Sequence, residues 1–202
     1  MSVESGSSQS ITEQAGGTPT AGVDLSQYSP GDYSPGAGLG RRAVWYVVNA
    51  VLFDSWLLPW SRAKRALLRM FGARVGDGVV IKPRVNIKHP WRLEIGNSSW
   101  VGEGVWIDNL VLVKIGANAC ISQGACLLTG NHDYRDPRFG LMTGEIHIDD
   151  GAWVGARAVV CPGVHLGREA VLVAGSVLSS EARPGGIYRG NPAAWVRSRT
   201  AR

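Results

Sequence analysis

From Val75 onward, aliphatic side chains recur at every sixth position, each usually followed by a small or polar residue. Val75-Gly76, Ile81-Lys82 and Ile87-Lys88 form one run; Ile95-Gly96, Val101-Gly102 and Ile107-Asp108 form the next. Ile115-Gly116, Ile121-Ser122 and Leu127-Leu128 follow. After a break the register resumes at Ile148-Asp149 and continues through Val154, Val160, Leu166, Leu172 and Leu178. An α-helix sets apolar residues at i, i+3 and i+4, and a half-buried strand alternates at two, so neither explains this spacing. A parallel β-helix does. Three short strands make one triangular coil, and each aliphatic residue points inward over its counterpart in the neighbouring coil. Small residues such as Gly96, Gly102, Gly116 and Gly155 are expected to turn the corners with little steric penalty. The ends of such a stack need caps, which the segments before Val75 and after Ser180 are placed to supply.

Departures from the register are informative. It slips by two residues after Ile87 and again after Ile107, which reads as small corner insertions. The large break is the polar, proline-containing stretch TGNHDYRDPRFGLMTGEIH, assigned to a loop over 128–147; long loops on rigid scaffolds are where function tends to sit. Residues 1–22 are rich in Ser, Gly, Thr and Gln, cannot offset their ordering entropy by burial, and are expected to be disordered. Tyr28, Pro30, Tyr33, Pro35 and Leu39 suggest an extended arm whose tyrosines pack on a neighbouring surface. Residues 41–71 read as helix. Within them Ala43–Trp60 is apolar enough to approach a membrane span, but Asn49, Asp54, Ser55 and Pro59 argue against spanning. It is read as a helix over the end of the core, with a membrane-interface helix as the alternative, Arg41, Arg42, Arg62, Lys64 and Arg65 lying near lipid phosphates. The division is therefore a tail (1–22), an arm and helical cap (23–74), and a β-helix domain with its loop and C-terminal cap (75–202).

Composition narrows the setting. The chain has 202 residues, and its 27 glycines follow no collagen-like array. Cys120, Cys126 and Cys161 make neither an even set nor a CxxC pair, so no disulfide framework or zinc finger is indicated and a reducing cytoplasm fits. Each reads as a small buried hydrophobe. The N-terminus shows no secretory signal pattern. The net charge of +5 lacks the aromatic interleaving of nucleic-acid motifs, so it is read as solubility and a favourable field for anionic ligands, with no nucleic-acid partner.

With those residues in hand, the chain resembles the hexapeptide-repeat acyltransferases, and most closely their WcaF-like branch from colanic acid biosynthesis. The motifs are VVIKPRVNIKHPWRLEIG, WVGEGVWIDN, ISQGACLLTGNHDY, DDGAWVGARAVVCPGV and GIYRGNPA, and the resemblance runs from about Val23 to Arg197. The hexads identify the fold; TGNHDY, WVG and GNPA together are more specific. The resemblance implies an all-β, left-handed parallel β-helix with an N-terminal helical cap, against the usual right-handed crossover. It also implies a homotrimer with three sites at the clefts between subunits, and acetyl-CoA as cosubstrate lying along the groove with no metal. The acceptor is expected to be a sugar or lipid-linked sugar in exopolysaccharide assembly, with possible contact to the inner face of the membrane.

A sugar hydroxyl is a poor nucleophile at neutral pH, so transfer from a thioester needs a base and oxyanion donors. Histidine suits the base, and by resemblance His132, between Asn131 and Asp133, deprotonates the acceptor for direct attack without an acyl-enzyme. Asp133 is assigned to orienting the ring or binding acceptor, with a plain turn residue as the alternative. Trp153, Gly155 and Ala156 match the cleft lining, and the Ala156 N–H is the candidate contact to the thioester carbonyl. Ser179 and the GNPA segment (Gly190, Asn191, Pro192, Ala193) match positions along the coenzyme groove, and Arg189 and Arg197 suit its phosphates. Ser179-Ser180 replaces the Thr-Lys of well-known sugar acetyltransferases. The acceptor-side asparagine is unmatched, and Glu103, Asp108, Asn109 and Asn131 are taken as the acceptor set. His89, His147 and His165 read as surface or corner residues. Two rivals stand: a γ-type carbonic anhydrase, which lacks here the pair of histidines five apart, and a non-catalytic β-helix scaffold, against which the intact TGNHDY loop argues.

Overall fold

The computed structural model describes residues 22–200; apart from Gly22, the tail expected to be disordered lies outside them. The repeat folds as the period requires. Each coil contributes one short strand to each of three parallel sheets, and the inward aliphatic residues stack in register. The first face carries Val75, Ile95, Ile115, Ile148 and Leu166. The second carries Ile81, Val101, Ile121, Val154 and Leu172, and the third Ile87, Ile107, Leu127, Val160 and Leu178. Nearly all are fully buried, and each contributes roughly 1.5–3 kcal/mol relative to exposure. The fold is thus the parallel β-helix of hexapeptide repeats that the spacing indicates, with helices at its N-terminal end.

The two-residue slips are corner insertions between the third and first faces. One includes a short 3₁₀ turn at Pro90–Arg92; the other holds Asn109. Here a sequence reading needs correction. Asn109, placed in the acceptor set, is fully buried. Its Nδ2 donates to the carbonyls of His89 (2.6 Å) and Arg92 (3.0 Å), and its Oδ1 accepts from the His89 N–H (2.9 Å). It ties one insertion to the next, and no polar atom is left for a substrate.

The corner role given to the glycines also moves. Gly96, Gly102, Gly116 and Gly155 have ordinary φ. A Cβ on Gly96 would lie 2.4 Å from the Ala117 nitrogen, and one on Gly155 2.5 Å from the Ala174 nitrogen. They permit close approach of successive coils. The left-handed corner residue comes two places later, as Ser98, Asn118, Arg157 or a glycine such as Gly104.

The helical stretch expected as one element is two helices: α1 (Leu39–Val48), continued by a wide π turn over Asn49–Phe53, and α2 (Ser61–Met70). Pro59 lies in the break, where its ring cannot continue a helix. These helices solve an edge problem, because the first coil's carbonyls have no coil beneath them. Side chains donate instead. Arg69 reaches Val75 O (2.8 Å), Arg65 reaches Val79 O (2.7 Å), Lys64 reaches Lys82 O (2.7 Å) and Trp45 Nε1 reaches Ile87 O (2.8 Å). Much of the basic charge read as a field for anions is therefore spent on the open edge. At the other end, strand Gly186–Gly190 extends the second face, and Ala193–Ser198 folds back on it antiparallel.

Candidate functional site

The break between Leu127 and Ile148 is an antiparallel hairpin. Gly130–His132 pairs with Leu141–Thr143, setting His132 opposite Leu141. Its tip is closed by Asp133 N–H to Gly140 O (2.9 Å) and Phe139 N–H to Asp136 O (2.8 Å). His132 ends the outgoing strand, with its ring stacked on Phe139 at 4.4 Å and edge-on to Tyr28 at 5.8 Å. His132 Nδ1 lies 3.0 Å from the Phe139 carbonyl. A carbonyl only accepts, so Nδ1 carries a proton, and in the neutral ring the lone pair is then on Nε2. That is the tautomer of a general base.

The orienting group is thus a backbone carbonyl. Asp133 accepts from the Arg135 N–H (3.0 Å) and pairs with its guanidinium at 3.2 Å. Its carboxyl is held below the usual range, first by the Arg135 N–H and then by the Arg135 side chain. It builds the turn. Asn131 accepts from the His132 N–H at 2.8 Å and pins the backbone under the ring.

His132 and Leu141 line a cleft of about 420 Å³ together with Tyr28, Tyr33, Arg42, Lys88 and His89. The arm expected to pack on a neighbouring surface packs here on its own chain. Asp24 N–H donates to Pro137 O (2.8 Å), Trp91 Nε1 to Pro35 O (2.8 Å), and the Arg92 guanidinium to Ser34 O. His89 is buried, stacked on Trp91 at 5.0 Å, and pushed down to about 4 by burial, so it is neutral at physiological pH. Arg42, Lys88, His89 and the arm tyrosines are cleft residues that the sequence reading did not assign. Only the tyrosines had a signal, as aromatics in an otherwise polar arm.

Asp108 pairs with Lys88 at 2.8 Å and lines an adjoining groove of about 530 Å³ with Trp106, Trp91 and α1 residues. Lys88, His89 and Arg42 border both spaces. Glu103 does not join them. It sits on the corner between the second and third faces, where the Gly124 N–H donates to its carbonyl and Arg157 N–H to that of Gln123. This is the corner that carries Ala156.

The residues expected to line the coenzyme groove lie elsewhere in the chain. Trp153 is exposed on the second face, its Nε1 bonded to Ser122 Oγ at 2.8 Å. Gly155 and Ala156 form the following corner. The Ala156 N–H has no partner among the described residues, while its carbonyl accepts from Gly175. Ser179 is exposed after the last third-face strand. Arg189, Asn191, Pro192 and Arg197 lie on the exposed C-terminal hairpin, with Asn191–Pro192 at its turn. Within one chain, His132 leaves one edge of the third face and Ala156 stands at the other. The fold does not bring them together.

The remaining groups are readily placed. Burial, and then the Asp108 charge, push the Cys126 thiol up to about 11, and burial raises Cys161. Neither is an activated nucleophile. His147 and His165 meet edge-on across neighbouring coils of the first face with centroids 6.2 Å apart, each beside its own carboxylate, Glu145 and Asp149. His132 is on the hairpin. Among the described residues no group of three or more His, Cys, Asp and Glu converges to hold a metal.

Comparison with known proteins adds independent findings. A family model described as the hexapeptide repeat of succinyl-transferase matches residues 145–180. A protein assigned to colanic acid biosynthesis as an acetyltransferase, WcaF of Escherichia coli (strain K12), is 35% identical over 181 residues, covering 87% of this chain and 97% of its own. Galactoside O-acetyltransferase of the same organism is 26% identical over 66% of this chain and 68% of its own. Among solved structures, a hexapeptide-repeat acetyltransferase of Vibrio cholerae complexed with acetyl coenzyme A superposes with a TM-score of 0.73 at 20% identity, over 80% of this chain and 88% of that one. Galactoside acetyltransferase in complex with coenzyme A gives 0.70 at 22% identity, over 79% and 80%.

Proposed function

The chain belongs to the hexapeptide-repeat acetyltransferase family that includes WcaF, and on that premise we propose that it moves an acetyl group from acetyl-CoA to a sugar hydroxyl in exopolysaccharide biosynthesis. The observation that carries the assignment of the base is the Phe139 carbonyl on His132 Nδ1, which leaves Nε2 free in a cleft large enough for a sugar ring. His132 Nε2 takes the hydroxyl proton as the oxygen attacks the thioester carbonyl. The oxyanion is met by the Ala156 N–H. Collapse breaks the C–S bond, and the proton passes from His132 to the departing sulfur. No acyl-enzyme forms, and the two raised cysteines are in keeping with that.

The site is completed by a second copy. His132 and Ala156 stand at opposite edges of the third face, about 20 Å of extended chain apart, so neither can serve the other's substrate within one chain. In a homotrimer, a cleft between neighbours joins the hairpin of one to the Ala156 corner of the next. Coenzyme A then runs from Trp153 toward Ser179 and the C-terminal hairpin, where Arg189 and Arg197 meet its phosphates. Three free thiols fit a reducing, cytoplasmic setting. Among the described residues no helix is long and apolar enough to cross a membrane.

The test is release of coenzyme A thiol from acetyl-CoA with a panel of sugars and glycolipids, wild type against His132→Ala. Turnover should fall about 10²- to 10⁴-fold while coenzyme A binding persists. Equal activity in the variant would remove His132 as base. Failure of the wild type to bind or consume acetyl-CoA would leave the scaffold reading.

A further inference from the structure

Helix α1 is oriented against the usual rule for a surface helix. Its inner side buries Trp45, while Leu39, Ala43, Val44, Tyr46 and Val47 are exposed, Tyr46 at 75%. Its two arginines part company: Arg41 turns to the Phe71 carbonyl and the Trp91 ring, while Arg42 stays exposed beside Leu39, Ala43 and Tyr46 at the rim of the groove. The apolar surface continues through Val51 into the connection to α2, where Trp56 (61%), Leu57 (70%) and Trp60 (69%) stand in solvent. An apolar patch of this kind on a soluble chain marks a contact surface.

We propose that the outer face of α1 and the Trp56–Trp60 connection dock the protein on an anionic lipid surface. Charge selects this occupant. Of the seven Lys and Arg between residues 33 and 76, Lys64, Arg65 and Arg69 serve the first coil's edge and Arg74 pairs with Glu94, while Arg42 and Arg62 stay exposed near the apolar face. Arg62, Lys82 and Arg84 are exposed around the connection, the Arg84 N–H donating to the Ser55 carbonyl beside Trp56. None of the three is in an ion pair among the described residues. A second copy meeting this face through the same residues would bring like cations together, whereas lipid phosphates supply the opposite charge. Tryptophan and tyrosine, apolar with one polar edge, suit the headgroup boundary. The helix is too short to span and lies in the interface.

Docking there has a consequence for catalysis. Leu39, Ala43 and Tyr46 border the groove of about 530 Å³, and Arg42, Lys88 and His89 join that groove to the His132 cleft. The cleft therefore opens beside the lipid, and an acceptor sugar carried on a lipid is delivered to it. This consequence rests on the acetyltransferase reading; the docking does not.

Flotation of the full chain with vesicles tests the docking separately from catalysis. Vesicles of phosphatidylcholine alone are compared with phosphatidylcholine and phosphatidylglycerol in equal parts. Wild type should float with the anionic vesicles only. Trp56→Ser with Leu57→Ser, and separately Arg62→Glu with Arg84→Glu, should weaken binding about tenfold or more, with unchanged thermal midpoint and coenzyme A binding. Wild type that stays unbound, or variants that float as well as wild type, would overturn the proposal. So would dissociation of the oligomer by the Trp56/Leu57 variant without wild-type flotation, which assigns the face to a second copy. Coenzyme A binding in the same samples reports on the acetyltransferase reading independently.

Discussion

At the scale of single residues, His132 is set by its neighbours rather than by the acid next to it in sequence. Its ring is held by the Phe139 carbonyl and stacked on the Phe139 side chain, while Asp133 faces Arg135. Asp133→Asn should therefore keep kcat within about threefold, since the amide oxygen still accepts from the Arg135 N–H. Phe139→Ala retains the carbonyl and loses the stack, worth about 0.5–1.5 kcal/mol, so kcat should fall by roughly tenfold at most with KM for acetyl-CoA unchanged. Steady-state kinetics of the two variants separate the roles. Another residue-scale prediction concerns close coil contact. Gly96→Ala places a methyl 2.4 Å from the Ala117 nitrogen, and the backbone must shift. Urea denaturation should show a loss of about 2–4 kcal/mol.

Among elements, the two corner insertions are coupled by Asn109 and His89. His89 is held neutral by burial, about 4 in the fold against about 6.5 in an unfolded chain. Its contribution to stability is complete above pH 6.5 and is lost as pH falls toward 4, because the unfolded chain binds the proton first. The loss over that window is about 3 kcal/mol at most. His89→Asn should flatten the slope of stability between pH 6.5 and 4 in chemical denaturation, and an unchanged slope would remove His89 from the account. The helical cap is legible in part. The sequence indicates helix over 41–71, and Pro59 signals the break, but periodicity says nothing about Arg65, Arg69 and Lys64 turning inward to bare carbonyls. That use depends on where the first coil's edge lies, which is a tertiary fact.

For the whole molecule, the proposed site draws His132 and Ala156 from different chains, so activity is expected to require the oligomer. Proline occupies the position equivalent to Ala156 at three other corners, as Pro83, Pro162 and Pro184, so Ala156→Pro should fold while deleting one N–H. Alone, His132→Ala and Ala156→Pro should both be nearly inactive. Co-assembled at equal amounts as mixed trimers, they should regain about a quarter of wild-type activity, because one site in four draws both intact residues from different chains. No recovery in demonstrably mixed trimers would place both residues of a site in one chain.

The six-residue spacing of Val75 through Leu178 determined the parallel β-helix by itself. Only a coil of three short strands buries every sixth side chain, and the TGNHDY break located the loop and its histidine for the same reason. Local sequence could not decide which atoms meet across coils. Asn109 looked like a surface polar residue and is a buried staple, because the insertion above it presents two carbonyls at bonding distance. Tyr28 and Tyr33 reach the cleft across more than ninety positions of chain, and Arg42 arrives there on a helix whose outer face is apolar. Periodic burial is written along the chain. Hydrogen-bond partners, cleft walls and edge caps depend on how distant coils and helices stack, and the tertiary structure alone decided them.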